Sequence, residues 1–255
     1  MLLACAALVT TPILTTPATA QTTFDPFGLA RIDDRAGARV PVDAPFRDAQ
    51  GRPTTLRRIA KGRPLLLVPV LHRCPNLCGV TLAGLSRAVA GQDLAPDRDF
   101  AVVALGIDPR EGPAQARADL ADLAREAPIA GAQALTGPAR SIRAVTRAIG
   151  YRYAWDPRIG QYAHAAASAV LTPEGRLSGW IYGLSPSPQD LNRALSAAQQ
   201  DRSGHWGEAL LLLCYHYDAV TGRYTPAIEA ILRAAAALTV LALLLGWWRL
   251  RRRRA

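Results

Sequence analysis

The sequence predicts an α/β fold, a mixed sheet with helices on its faces, followed by a C-terminal transmembrane helix. Three observations lead there. Two continuous apolar runs of strand length, 65–71 and 100–107, read as buried strands rather than as half-solvated, alternating ones. Helix-patterned segments separate and follow them. A final apolar run, 231–248, is broken only by Arg233 and Thr239 and approaches the ~20 residues that cross a bilayer.

The elements follow in order. Residues 46–52 begin a short hairpin, with Gly51 at its turn before Thr54, Thr55 and Leu56. After the strand 65–71, residues 81–90 carry Leu82, Leu85 and Val89 at helical spacing. The strand 100–107 ends at Asp108-Pro109, a turn former. Residues 114–126 are rich in Ala, Asp and Arg and helical, with Pro113 at the entry. A further helix over 138–149 places Ile142, Val145 and Ile149 on one face and stops at Gly150. Residues 151–155 alternate like a strand. Strands 166–171 and 177–182 flank Pro173-Glu174-Gly175, a hairpin signal, and Ser187-Pro188 opens a last helix over 187–200. The folded domain therefore spans 46–200, with 21–45, rich in charge, Pro and Gly, expected to include a linker.

Both ends point to export and anchoring. Residues 1–20 are apolar, uncharged and close on Ala18-Thr19-Ala20, so a secretory signal peptide cut before Gln21 is expected. The basic stretch expected ahead of it is missing, so the true start is expected upstream. Leu2-Leu3-Ala4-Cys5 resembles a lipoprotein cleavage box but has no apolar run before it. At the other end a juxtamembrane segment, 201–226, leads to the expected span, 227–248. Trp247 and Trp248 suit one membrane interface, and Arg233 can snorkel to the other. The tail 249–255 is basic and belongs in the cytoplasm, which puts the main domain in the periplasm on the outer side of the inner membrane. The net charge of +10 owes five arginines to that tail, and no basic, aromatic-interleaved stripe occurs mid-chain, so nucleic acid is not an expected partner.

Cys74 and Cys78 stand between the first buried strand and its following helix. One helical turn sets residues four apart on the same side, and the helix N-terminus favours thiolates. Such a pair can cycle between dithiol and disulfide, hold a soft metal, or bridge structurally, although so short a loop constrains a domain little. His164 stands just before the strand 166–171, where a loop can fold back over the cysteines. Two Cys and one His are a soft ligand set suited to copper.

A thiol pair after the first central strand, with a hairpin and closing helix downstream, is the layout of thioredoxin-like proteins, here with one residue more between the cysteines. Cys74-Pro75-Asn76-Leu77-Cys78, 106–111 (Gly-Ile-Asp-Pro-Arg-Glu), 135–137 (Leu-Thr-Gly), His164 and 171–175 (Leu-Thr-Pro-Glu-Gly) together resemble the Sco/SenC family, over about 46–196. The tail, with Cys214 and His216, is similar to a bacterial branch with a C-terminal anchor. The resemblance implies a thioredoxin-like fold and copper ligation by Cys74, Cys78 and His164. It also implies a membrane-anchored copper chaperone that delivers copper to, or reduces, the cysteines of the CuA site, with the cytochrome c oxidase subunit carrying that site as partner and other copper carriers as further partners. Two positions depart from the family: Asn76 stands where an acid is common, and Tyr162-Ala163 where an Asp shortly precedes the histidine.

Other residues have plainer readings beside the functional ones. His72 is either a fourth ligand or proton shuttle, or a strand cap. Cys214 and His216 are either a second metal pair or part of an apolar segment lying on the bilayer. The competing function is a thiol–disulfide oxidoreductase, with Cys74 attacking and Cys78 resolving, for which His164 is dispensable.

Overall fold

The computed structural model describes residues 26–33, 35–73, 78–126, 128–157, 160–204, 233–240, 243 and 247, without the side chains of 26, 27, 78–81 and 126. Elements run in the order α1 (Pro26–Leu29), β1 (Phe46–Arg47), β2 (Pro53–Thr54), α2 (Leu56–Ala60), β3 (Leu65–Val70), α3 (Cys78–Ala90), β4 (Ala101–Gly106) and α4 (Pro113–Glu126). There follow β5 (Gln133–Leu135), α5 (Ala139–Ala148), β6 (Ala154–Asp156), β7 (Gln161–Ala163), β8 (Ala167–Leu171), β9 (Leu177–Tyr182) and α6 (Pro188–Gln199). The fold is mixed α/β, as expected.

The main sheet has the order β5-β4-β3-β8-β9. β3 pairs in parallel with β4, and β4 with β5, while β8 runs antiparallel to both β3 and β9. Every residue of β3 and β4 is buried, which is why both read as unbroken apolar runs. Alternate residues feed two cores. Leu65 and Leu67 face one that includes Leu56, Ile142, Val145, Tyr151 and Trp180. Leu66, Val68 and Val70 face the other, closed by Leu82 and Leu85 of α3 and Leu191 and Leu195 of α6. The β3–β8 ladder stops at Leu67, ahead of Pro69, which has no N–H to offer.

Five elements differ from the sequence reading; three of them, α1, α2 and β7, stand where none was expected, Leu56 opening α2 instead of continuing the hairpin. β5 was not expected: three residues are too few for a pattern, and its edge is closed by backbone bonds between Arg47 and Thr136 (2.8 and 3.0 Å). The strand expected over 151–155 begins only at Ala154, because Tyr151 is spent on an isolated bridge to Ile32, with its ring in the core. Val40 and Val42 are buried, so the last part of 21–45 packs on the domain. Val40 N–H donates to Gly175 at 2.9 Å, and a Cβ on Gly175 (φ +77) would stand 2.8 Å from Val42. The hairpin around Gly175 and the Ser187–Pro188 start of α6 are as expected; Ser187 Oγ accepts from Asp190 N–H at 3.1 Å.

Among the described residues no helix is long and apolar enough to cross a membrane. Residues 233–240 are helical, with Leu238 and Val240 exposed, while 227–232, 241, 242, 244–246 and 248 of the expected span lie outside the described residues. So do residues 1–25, Cys214 and His216.

Candidate metal centre

Cys74 through Leu77 lie outside the described residues. Cys78 is the first residue of α3, its side chain also outside them. Leu71, His72 and Arg73 leave the C-terminal end of central strand β3, and a 13-residue helix begins at Cys78. Cys78 thus opens a helix N-terminus beyond the end of a parallel strand, where the positive end of the helix dipole favours thiolate.

The chain entering that loop is held by a carboxylate. Glu111 Oε1 accepts the Arg73 N–H at 2.8 Å and Oε2 accepts the His72 N–H at 3.1 Å. Both oxygens are committed to consecutive backbone donors, which sets the direction in which the chain leaves β3. Burial raises the Glu111 carboxyl above its ordinary value, against the opposing pull of these two N–H groups and of His72.

His72 itself is buried and fully satisfied. Its Nδ1 lies 2.8 Å from Asp119 Oδ2 on α4, and its Nε2 lies 3.0 Å from the Leu135 carbonyl on β5. Both partners are acceptors, so both ring nitrogens donate and the imidazole is held as the cation. Burial pulls its pKa down, but the Asp119 hydrogen bond, the Leu135 carbonyl and the charges of Asp119 and Glu111 outweigh it and raise the value. Gly106 makes room for the ring: a Cβ there would stand 2.8 Å from its Cδ2. With no lone pair to give, His72 is not a fourth ligand; it ties β3 to α4 and β5.

His164 is the reverse case. It follows β7 and precedes β8, and because β8 runs antiparallel to β3 it stands at the end of the sheet where β3 leads out toward Cys74. It is 1% exposed. Tyr151 Oη donates its only hydrogen to the Ala165 carbonyl at 2.7 Å, and lies 3.0 Å from His164 Nδ1. The phenol oxygen therefore accepts from Nδ1–H, which leaves the lone pair of the neutral ring on Nε2. Burial pushes the His164 pKa down to about 4, with a smaller opposing effect from Ala165. Nε2 is buried and has no hydrogen-bond partner among the described residues. An orphaned, neutral imidazole nitrogen with its tautomer fixed by a second residue is what a metal ligand requires.

Among the described residues no three candidate ligands gather, Cys74 and the Cys78 side chain being outside them. A cleft of about 250 Å³ opens beside the entry to the loop, walled by Leu71, Arg73, Arg110, Glu111 and Tyr162. Asp108 shapes its rim as a turn former: Oδ1 accepts the Arg110 N–H at 2.9 Å while the carboxylate grips the Arg110 guanidinium at 2.6 Å. Burial acts to raise Asp108, but those bonds hold it below the usual carboxylate range. The same guanidinium lies 4.1 Å from the centre of the Trp155 ring, which packs edge-on against Tyr162.

Sequence reasoning missed Tyr151, Asp119 and the role of Glu111. Tyr151 was read only as part of a strand, and Asp119 has the look of its exposed helix neighbours. Glu111 stood within the matched run 106–111, the only signal that could have drawn attention to it.

The model of the SCO1/SenC family matches residues 35–199. Solved structures share the fold. A candidate electron transfer protein from Aquifex aeolicus VF5 is 22% identical, with TM-score 0.57, covering 65% of this chain and 95% of that one. A ScoI of Arabidopsis thaliana with copper bound is 18% identical, with TM-score 0.51, over 65% and 99%. A SCO1/SenC family lipoprotein from Bacillus anthracis is 15% identical, with TM-score 0.52, over 64% and 95%. No curated protein matches.

Proposed function

The chain belongs to the SCO1/SenC family, and on that premise we propose that it is a membrane-tethered copper carrier of the periplasm, delivering copper to the CuA site of a cytochrome c oxidase subunit. Copper is its cargo. Cys74 and Cys78 supply two thiolates and His164 Nε2 a neutral nitrogen, a soft set that suits copper over hard cations. The observation that carries the reading is the buried Nε2 of His164, unpartnered among the described residues, with the ring's proton held on Nδ1 by Tyr151. Glu111 holds the backbone that leads into Cys74. Release to a partner then proceeds by exchange of these ligands for the partner's own thiolates. The signal-like residues 1–20, the apolar run 231–248 and the arginine tail support export with a single C-terminal anchor.

The test is titration of the reduced chain with copper, followed by its thiolate-to-copper charge-transfer absorption. One equivalent is expected to bind, with loss of the band in Cys74→Ser and Cys78→Ser and weaker binding in His164→Ala. Copper binding unchanged by His164→Ala removes the ligand assignment. A chain that binds no copper yet reduces a partner disulfide, with His164→Ala fully active, is a thiol–disulfide oxidoreductase instead.

A further inference from the structure

A second, larger cleft of about 650 Å³ opens where α5 meets the segment around Arg35 and the chain 150–154. Its walls are basic. Helix α5 carries Arg140, Arg143 and Arg147 and no acid, and Arg143 and Arg147, four apart, project from one face. Arg35 closes the opposite side, its Cγ 3.3 Å from where a Cβ on Gly150 would stand. Asp33, the acid in the cleft, is already engaged by Arg31 at 3.1 Å and Arg152 at 2.5 Å. Arg35, Arg143 and Arg147 make no ion pair with any described residue. Three guanidinium groups facing one concavity repel each other unless an anion joins them, and guanidinium forks match carboxylates.

The floor of this cleft is aromatic, and it leads to the candidate metal centre. Tyr151, whose hydroxyl holds His164, lines it together with Tyr153 and Tyr162. Tyr153 packs on Tyr151 at 6.2 Å between ring centres and on Tyr162 at 5.4 Å. Tyr162 also walls the smaller cleft at the entry to the cysteine loop. Trp155, 36% exposed, stands against Tyr162 and under Arg110. One surface of Arg, Tyr and Trp, the residue types that dominate interface hot spots, therefore runs from the loop entry into the basic cleft.

We propose that this surface docks the acceptor protein of the carrier reading, the Arg35–Arg143–Arg147 cleft taking an acidic segment of it. The inference rests on the carrier reading above. Charge complementarity identifies the occupant: the cleft supplies cations on two facing sides that pair with no described acid, and aromatic walls, so a peptide bearing several carboxylates fits it. Attraction of this kind raises the encounter rate and fixes orientation, which suits a transfer that must bring two small sites together.

The probe is a fluorescently labelled hexa-aspartate peptide, added to the full chain and followed by anisotropy. Saturable binding that weakens with added salt is expected. Arg143→Gln with Arg147→Gln should weaken it roughly tenfold, and Arg140→Gln, outside the cleft lining, should not. Equal loss in Arg140→Gln, or none in the double variant, overturns the proposal. So does inorganic pyrophosphate binding where the peptide does not, which marks a small-anion site. Anionic phosphatidylglycerol vesicles retaining the native chain better than the double variant, without peptide binding, mark a lipid contact. A dimer of the native chain abolished in the double variant marks a second copy as occupant. Copper titration of the same variants separates the two ideas. Peptide binding without copper binding removes the carrier reading, and copper binding without peptide binding removes only the docking surface.

Discussion

His72 and His164 are both buried at one end of the same sheet, the first just past β3 and the second just ahead of β8, yet they do opposite work. His72 is two residues from Cys74 and spends both ring nitrogens on Asp119 and Leu135. His164 is distant in sequence and commits only Nδ1, to Tyr151, leaving Nε2 without a partner among the described residues. Nearness to the thiols along the chain is therefore a poor guide to ligation. What decides is whether the surroundings leave a lone pair, and that depends on the acceptors the fold brings to each ring.

The largest separation between the two should be in folding stability. His72→Ala removes the cation of a buried pair and strands the Asp119 carboxylate and the Leu135 carbonyl, a loss of about 3 kcal/mol. Urea unfolding of the metal-free chain measures it, and the refolded variant should still bind copper at its normal stoichiometry. His164→Ala should show the converse. Copper affinity falls at least about 100-fold, while stability without metal falls less, because no hydrogen bond to Nε2 is lost. If His72→Ala abolishes copper binding in a folded protein, the contrast between the two rings collapses.

Tyr151→Phe sharpens the comparison from the other side. The ring stays, stacked at 5.7 Å on Trp180, but the acceptor that holds the Nδ1 proton is gone. The neutral imidazole can then carry its proton on either nitrogen. Copper affinity should drop roughly tenfold, the size of effect typical of a group that orients a metal ligand. Isotope-edited spectra of the metal-free variant should report a mixture of tautomers where the native chain shows one.

Much of this arrangement was legible in the sequence, and the missing part has a physical pattern. Residues 65–70 and 101–106 announced themselves because strands covered on both faces are apolar throughout. Cys74, Cys78 and His164 were visible because few residue types ligate soft metals. β5 escaped because three residues carry no period. Tyr151 looked like one member of an alternating strand, and only the bridge to Ile32 turns its hydroxyl toward Ala165 and His164. Asp119 and Asp122 stand on the same Ala/Asp/Arg helix, and nothing local says which of them meets a buried histidine. Partnership across 47 residues is a property of the fold, so it appears only with the fold.

The finest distinction is in titration. For the metal-free chain the two imidazoles should move apart from the ordinary value of 6.5, His72 upward and His164 down to about 4. Proton NMR of the ring C–H signals across pH measures both, with His72→Gln and His164→Gln assigning the peaks. The signs carry opposite consequences for stability. His72 binds its proton more tightly folded than unfolded, so its contribution is complete below 6.5 and fades as pH climbs through the raised value. His164 stays neutral in the fold while the unfolded chain takes up a proton below 6.5, so its share of stability falls as pH drops from there toward 4. Each variant should flatten its own part of the stability–pH curve and leave the other part intact. Two rings that titrate together near 6.5 would mean that neither the Asp119 clamp nor the Tyr151 tether holds in solution, and the distinction between a structural and a ligating histidine would go with them.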